Sequence, residues 1–506
     1  MSLPEKRCFN RFVLVNSSKQ ERNYLILFHL IDKQDIYNED EILKKGNFIK
    51  KNQLPDLKHY LYNMILKCLR SYRSGISADV QLKDILNDVA CLYDRGLYTE
   101  CRTELVRAED VAHRHENYPH LLEIITWKEK IAGTINPAES YMEEVSLRFS
   151  GEKTRVLDIL RNMNAFLTLY NRMVRLYHKY GDTRTPELRK NFDDIMKDPL
   201  MASEENALSF KAKLFFNSIK NDYYDIIGET INSYHAAKRS VELMDLYPDI
   251  KREEYKRYLS HLFNLGLAQV NLGKTHEVPG TVEKLRQVPG FLHAKLRETE
   301  DVQSDLFYFS YFLELQSCLS SGDFEKALLL IPGIERNLKL FKGKINPIRE
   351  LLFHYCIAYL YFSANRFSSA LQWLNKIVHS REINLKEDIY SFARILNLIT
   401  HYELGNTGVL EYIVRSTYRY LSKRNRLYKV ESSVLNFIRK RLSAVHPSKN
   451  LTIEFTELKQ VLEELIKEPF EKKAMAYFDF ISWLESKITG RSFAEIVKEK
   501  TGLIPG

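Results

Sequence analysis

The sequence predicts an all-α protein, built as a solenoid of helical hairpins closed by helical caps at both ends. Three observations lead there. The 506 residues include only 19 glycines and 14 prolines, about half the usual share, whereas a β-sandwich, β-barrel or doubly wound α/β fold needs turn chemistry at many points. Apolar residues recur at helical spacing over long stretches. A short turn element also repeats along the chain. Hydrophobic residues make up 44% and charged ones 28%, a balance that excludes a disordered chain. Tyrosine is the outlier, with 30 copies against 27 phenylalanines and 3 tryptophans.

Residues 1–75 read as an N-terminal helical cap. Ser18-x-x-Glu21 has the form of a capping box, opening an apolar-periodic segment with Tyr24, Leu25, Phe28 and Ile31. Asn38-x-x-Glu41 caps a shorter helix, and Pro55 suits the first turn of a third that carries Leu57, Leu61, Met64, Ile65, Cys68 and Leu69. The same order, a short helix followed by a long basic one, also fits a helix-turn-helix-like unit.

Residues 76–445 carry the repeated element. In Gly96-Leu-Tyr98-Thr-Glu-Cys101, continued by Leu105 and Ala108, a glycine precedes an aromatic by two positions and a small residue by five. The offsets recur in Gly322-Asp-Phe324-Glu-Lys-Ala327 and in Asn365-Arg-Phe367-Ser-Ser-Ala370, with weaker copies at Gly273 and Val278 and at Gly405 and Leu410. The spacing has a physical sense. Gly or Asn leaves one helix in a left-handed conformation, the aromatic covers the turn, and the small residue starts the inner face of the next helix where two backbones cross closely. This element resembles that of the tetratricopeptide repeat, most strongly over residues 85–115 and 308–380. The closing proline of that repeat is missing, and its late small residue is Ala108 in one copy but Ile334 and Ile377 in two others. The resemblance implies a right-handed superhelix that binds a protein or peptide on its concave face. The whole chain also resembles a group of bacterial proteins of similar length, a likeness that implies no activity.

Long periodic helices fill the intervals, over Leu157–Tyr180 and Ala207–Lys220. Phe307, Tyr308, Phe309, Tyr311 and Phe312 are too dense for one side of a helix. Most are expected in the repeat core and a few in a groove. The hydrophilic break His446-Pro-Ser-Lys-Asn450 precedes residues expected to form a C-terminal cap (446–506), with helices over Phe455–Ile466 and Ala474–Ile488 and a last one capped by Ser492-x-x-Glu495.

The chemistry-bearing motifs are sparse. Gly266 to Gly273-Lys274-Thr275 ends like a phosphate loop, but its glycines are too far apart and its apolar spacing is helical. His113, His115 and His120 are close in sequence, with Pro119 interrupting any common face. There is no Gly-x-Ser-x-Gly elbow, and the adjacent pairs Glu143-Glu144 and Asp193-Asp194 diverge on a helix. The six cysteines show no Cys-x-x-Cys spacing, as expected of reduced, mostly buried thiols. The only apolar run near the start is Phe12–Val15, so neither a signal peptide nor a membrane span is expected and the location expected is cytoplasmic. No catalytic residue, cofactor or metal is expected.

Charge supplies one candidate site. The net charge of +9 is concentrated: residues 415–441 hold nine basic residues against Glu431 alone, and residues 42–73 hold eight against Asp56 alone. Arg415, Arg419, Lys423 and Arg426 fall at offsets that make one helical stripe, with Tyr418, Tyr420 and Tyr428 interleaved. Such a stripe suits phosphates and stacked bases, or equally a solvated helix end. Lys44, Lys45, Lys50 and Lys51 read the same way. The reading is a non-enzymatic interaction scaffold with a protein or peptide partner and no membrane. The alternative is a nucleic-acid-associated regulator using the N-terminal helices or the 415–441 stripe.

Overall fold

The scarcity of turn residues has its counterpart in 26 α-helices and no strand among the described residues. The computed structural model describes the chain apart from residues 2, 17–21, 35, 47–49, 74–76, 137, 182–183, 380–386, 444–450 and 502–506. The boundary near 75, the Ser18–Glu21 box and the break at 446–450 therefore lie outside the described residues. No described helix is long and apolar enough to cross a membrane.

The chain divides into two compact units, residues 1–156 with 293–299, and residues 157–292 with 300–506. The first holds α1 (Leu3–Asn16), α2 (Arg22–Asp32), α3 (Glu39–Lys45), α4 (Leu54–Arg73), α5 (Ala78–Tyr93), α6 (Tyr98–Arg114), α7 (Tyr118–Ile135) and the residues to Val156 of α8 (Glu139–Tyr180). Helices α1, α2 and α4 close on a core of Phe9, Val13, Leu27, Phe28, Leu61 and Cys68, with Ile42 of α3. The Asn38 side chain accepts from the backbone N–H groups of Asp40 and Glu41 and so opens α3. Pro119 sits in the first turn of α7, which the Asn117 side chain caps, so His113 and His120 belong to different helices.

The second unit continues with α9 (Pro186–Met196), α10 (Phe210–Ile227), α11 (Thr230–Leu246), α12 (Pro248–Glu253), α13 (Tyr255–Asn271) and α14 (Val278–Phe291). After α15 (Ala294–Arg297), which belongs to the first unit, come α16 (Glu300–Ser321), α17 (Phe324–Leu340), α18 (Pro347–Ser363), α19 (Phe367–Val378), α20 (Glu387–Glu403), α21 (Thr407–Lys423) and α22 (Lys429–Ser443). Successive helices pack on one another, and α16, α18 and α20 also pack in sequence. That pattern is consistent with a helical solenoid.

The turn element has a consistent local structure. Gly96, Gly322 and Asn365 adopt positive φ of 73°, 73° and 58°, and the next helix starts at Tyr98, Phe324 and Phe367. Cys101, Leu105 and Ala108, then Ala327 and Ile334, then Ala370, Leu374 and Ile377 are fully buried. The former phosphate-loop candidate is the body of α13, where a Cβ on Gly266 would lie 2.2 Å from Leu313 Cδ2. Glycine there lets α13 and α16 approach closely.

The C-terminal segment comprises α23 (Leu451–Leu465), α24 (Pro469–Lys472), α25 (Phe480–Thr489) and α26 (Phe493–Lys500). It folds back over one face of α18 and α20. Tyr477 stacks on Phe392 at 4.3 Å and its carbonyl accepts from the Tyr355 hydroxyl at 2.9 Å. Phe478 meets Tyr359 and Phe362, and Trp483 Nε1 donates to Glu403 at 2.6 Å. The segment reaches α17, where Phe493 meets Phe324, and Thr501 donates to the Ser321 carbonyl at 3.0 Å. Phe478, Phe480 and Trp483 are no more than 1% exposed, each burial contributing roughly 1.5–3 kcal/mol. A buried ion cluster anchors α24 of this C-terminal arm: the Arg184 guanidinium lies 3.0 Å from Glu431 and 3.5 Å from Glu471, and Glu471 accepts from the Lys429 and Val430 N–H groups that open α22.

Candidate functional site

The basic stripe is three residues long, not four. Arg415, Arg419 and Lys423 lie exposed on α21, and Arg415 pairs with Glu411 one turn earlier. Arg426 falls beyond the helix end, after a left-handed turn at Asn425. It is 9% exposed, donating to Asp388 at 2.7 Å and to the Tyr180 carbonyl at 2.9 Å. The offset of 11 assumed that the helix continued, and Asn425 ends it. The neighbouring tyrosines divide similarly. Tyr420 is held between the guanidinium groups of Arg394 and Arg424, and Tyr428 lies under Arg184. Tyr418 is exposed, as is Tyr412, which lies outside the predicted stripe. In the N-terminal patch Lys44, Lys50 and Lys51 are exposed, and Lys45 pairs with Glu41 at 2.5 Å.

A second site emerges only from the packing. A cavity of about 480 Å³ lies among α8, α10, α13, α16 and α18, within the range that holds small ligands or a side chain of a partner. Helical periodicity assigns its walls. Asn264, Leu267, Ala268 and Asn271 form one stripe of α13, and Tyr308, Phe312 and Gln316 one stripe of α16. Val174 and Tyr177 come from α8, and Leu352 from α18. The aromatic wall is continuous: Phe263 lies 5.6 Å from Tyr308 and 5.9 Å from Phe312, and those two stack at 5.4 Å.

The polar wall comes from the end of α10. Ser209 caps the start of this helix and Gly228, at φ 83°, ends it, which puts Asn221, Asp222 and Asp225 in its last two turns. The Asn221 amide donates to Ser233 Oγ at 3.0 Å, and Asn271 donates to Asp225 at 3.1 Å. Gln316 donates to Cys356 Sγ at 3.0 Å. Asp222 and Asn264 have no hydrogen-bond partner among the described residues. Burial, with the nearby Asp225 carboxylate adding to it, pushes the Asp222 carboxyl up to about 7.

Positive charge near the cavity is already engaged. Arg257 pairs with Glu254 at 3.2 Å and lies over the Phe215 ring. His261, one turn before Asn264, is buried with Nε2 unpartnered. Burial, reinforced by Arg257, pushes its pKa down to about 3, so the ring is neutral. The Lys473 ammonium donates to the Ile226 carbonyl at the end of α10.

None of the polar residues of this cavity was expected from the sequence. The signal available was Asn221-Asp222-x-x-Asp225 just before Gly228, two acids in the last turns of a helix where the dipole favours cations. Tyr308 and Phe312, by contrast, belong to the aromatic cluster that was expected to divide between core and groove. No group of His, Cys, Asp or Glu among the described residues is arranged to hold a metal ion. No protein-family model, curated protein or solved structure matches the chain.

Proposed function

We propose that this chain is a non-enzymatic cytoplasmic scaffold, a right-handed solenoid of tetratricopeptide-like helical hairpins whose concave face holds a segment of a protein or peptide partner. The observation that carries this reading is a face in two states. On α18, Leu352 lines the open cavity, while Tyr355, Tyr359 and Phe362 further along meet the chain's own C-terminal segment. One part of the face thus already grips a polypeptide through aromatic stacking and a hydroxyl-to-carbonyl hydrogen bond. Its continuation over α13 and α16 offers the same aromatic chemistry to an occupant. A preorganised surface of this kind loses little entropy on binding.

The test is site-specific photo-crosslinking in the native cell, with the photoreactive residue at Asn264 in the cavity or at Leu329, which is 80% exposed. A discrete adduct from position 264 and none from 329 is expected. Equal yields at both positions overturn the reading.

A second reading, a nucleic-acid-associated regulator, draws on Arg415, Arg419 and Lys423 beside exposed Tyr412 and Tyr418. It requires binding of a labelled single strand that weakens with salt, and a flatter salt slope when the three cations are replaced by Gln. Absence of binding at low salt removes it.

A further inference from the structure

The end of α10 breaks a local rule. Carboxylates at a helix C-terminus oppose the dipole, yet Asp225 stands in the last turn, with Asp222 one turn before it, and both are in the wall of a cavity. Conflicts of this kind concentrate at functional sites. The chain itself supplies a precedent for what relieves the conflict, since the Lys473 ammonium already meets the Ile226 carbonyl at the same helix end. Phe263, Tyr308 and Phe312 line the same cavity, and aromatic rings attract cations and accept apolar stems. Asp222 and the Asn264 amide lack hydrogen-bond partners among the described residues and are available as acceptors.

We propose that the cavity binds a protonated alkylamine, its ammonium group against Asp222 and Asp225 and its apolar stem along Phe263, Leu267 and Phe312. The ammonium donates to the Asp222 carboxylate and to the Asn264 amide oxygen. The inference rests on the reading of this face as a binding surface and names its occupant's chemistry: a lysine side chain of a partner segment, or a free diamine. Binding expels a proton from Asp222 wherever that carboxyl is protonated beforehand, so affinity rises as pH is raised from 6 to 8. The other titratable and charged groups around it are Asp225 on the same helix, Tyr170 and Tyr177 on α8, Arg257 and His261 on α13, Tyr308 on α16 and Lys473 of the arm. His261 stays neutral across that range.

The test is calorimetric titration of the full chain at pH 8 and low salt with 1,5-diaminopentane, with Nα-acetyl-lysine amide, and with pentanol as the uncharged control. At least one amine is expected to bind about tenfold tighter than pentanol, with that advantage abolished in Asp222→Asn, a variant expected to fold at least as stably as the parent. A tighter lysine derivative assigns the site to a partner's side chain, and a tighter diamine to a free ligand. Pentanol binding as well as the amines, no amine binding, or unchanged amine affinity in Asp222→Asn overturns the proposal. A crosslinked partner at position 264 with no amine binding leaves the scaffold reading standing and removes this one. Amine binding with no crosslinked partner does the reverse.

Discussion

Asp222 also makes a prediction about stability that needs no ligand. Its carboxyl titrates near 7 in the fold against an ordinary 3.8. Between those values the native state holds a proton that the unfolded chain has released, so stability falls as pH rises through the window and levels off above 7. At 1.36 kcal/mol per decade the full penalty is about 4 kcal/mol, and the part accumulated between pH 5.5 and 7 is about 2. Because the carboxyl retains partial contact with solvent, about 1–2 kcal/mol over that interval is the expected measurable part. Asp222→Asn keeps the shape and removes the titration. Its thermal midpoint should exceed that of the parent, and the gap should widen by about 1–3 °C between pH 5.5 and pH 8. Differential scanning fluorimetry of both proteins across that range reads it directly. A gap that does not change with pH, or a variant less stable than the parent at pH 8, refutes the assignment of a strained, neutral carboxyl to this wall.

Other perturbations test the framework around the site. Arg184→Met leaves Glu431 and Glu471 buried without their cation, and should cost about 3–5 kcal/mol at pH 7 in chemical denaturation. The loss should shrink at pH 5, because burial already raises the Glu431 pKa and a neutral acid needs no partner. Ala370→Leu, at a fully buried position where α18 and α19 pack, should cost about 1–3 kcal/mol, and an unchanged melting midpoint counts against close packing there. Gly96→Ala and Gly322→Ala should separate two effects. Both residues have φ of 73°, but an added Cβ meets nothing within 4 Å at Gly96 and lies 3.1 Å from the Lys498 backbone nitrogen at Gly322. The first should cost about 1 kcal/mol in backbone strain. The second should cost more and also speed proteolysis within residues 469–501, which a time course by mass spectrometry measures.

The relation between sequence and structure differs from element to element. Gly96, Gly322 and Asn365 mark turns because their left-handed conformation is a property of a few consecutive residues, and the helix starts at Tyr98, Phe324 and Phe367 depend on it. The Ser492–Glu495 capping box is equally local and is present with both of its hydrogen bonds. Arg426 shows the limit of such reasoning. Its place on a stripe depended on the helix continuing past Lys423, and its burial depends on Asp388 and Tyr180, far away in the chain. The 42-residue length of α8 was also only partly legible, because its residues before Leu157 lack the strong apolar stripe carried by Leu160, Met163, Phe166, Leu167 and Tyr170.

By itself, then, the sequence determined that the chain is helical, where several of its turns fall, and which residues face inward beside them. These features arise from periodicity, capping and the conformational freedom of glycine and asparagine, all of which act within one or two helical turns. Only the tertiary structure decided that the C-terminal helices fold back onto α17, α18 and α20, and that Asp222, Asn264 and Phe312 line one cavity. Those residues sit on separate helices tens of positions apart. Their meeting is set by which helix faces bury against which, a non-local balance of packing and desolvation that no window of sequence contains.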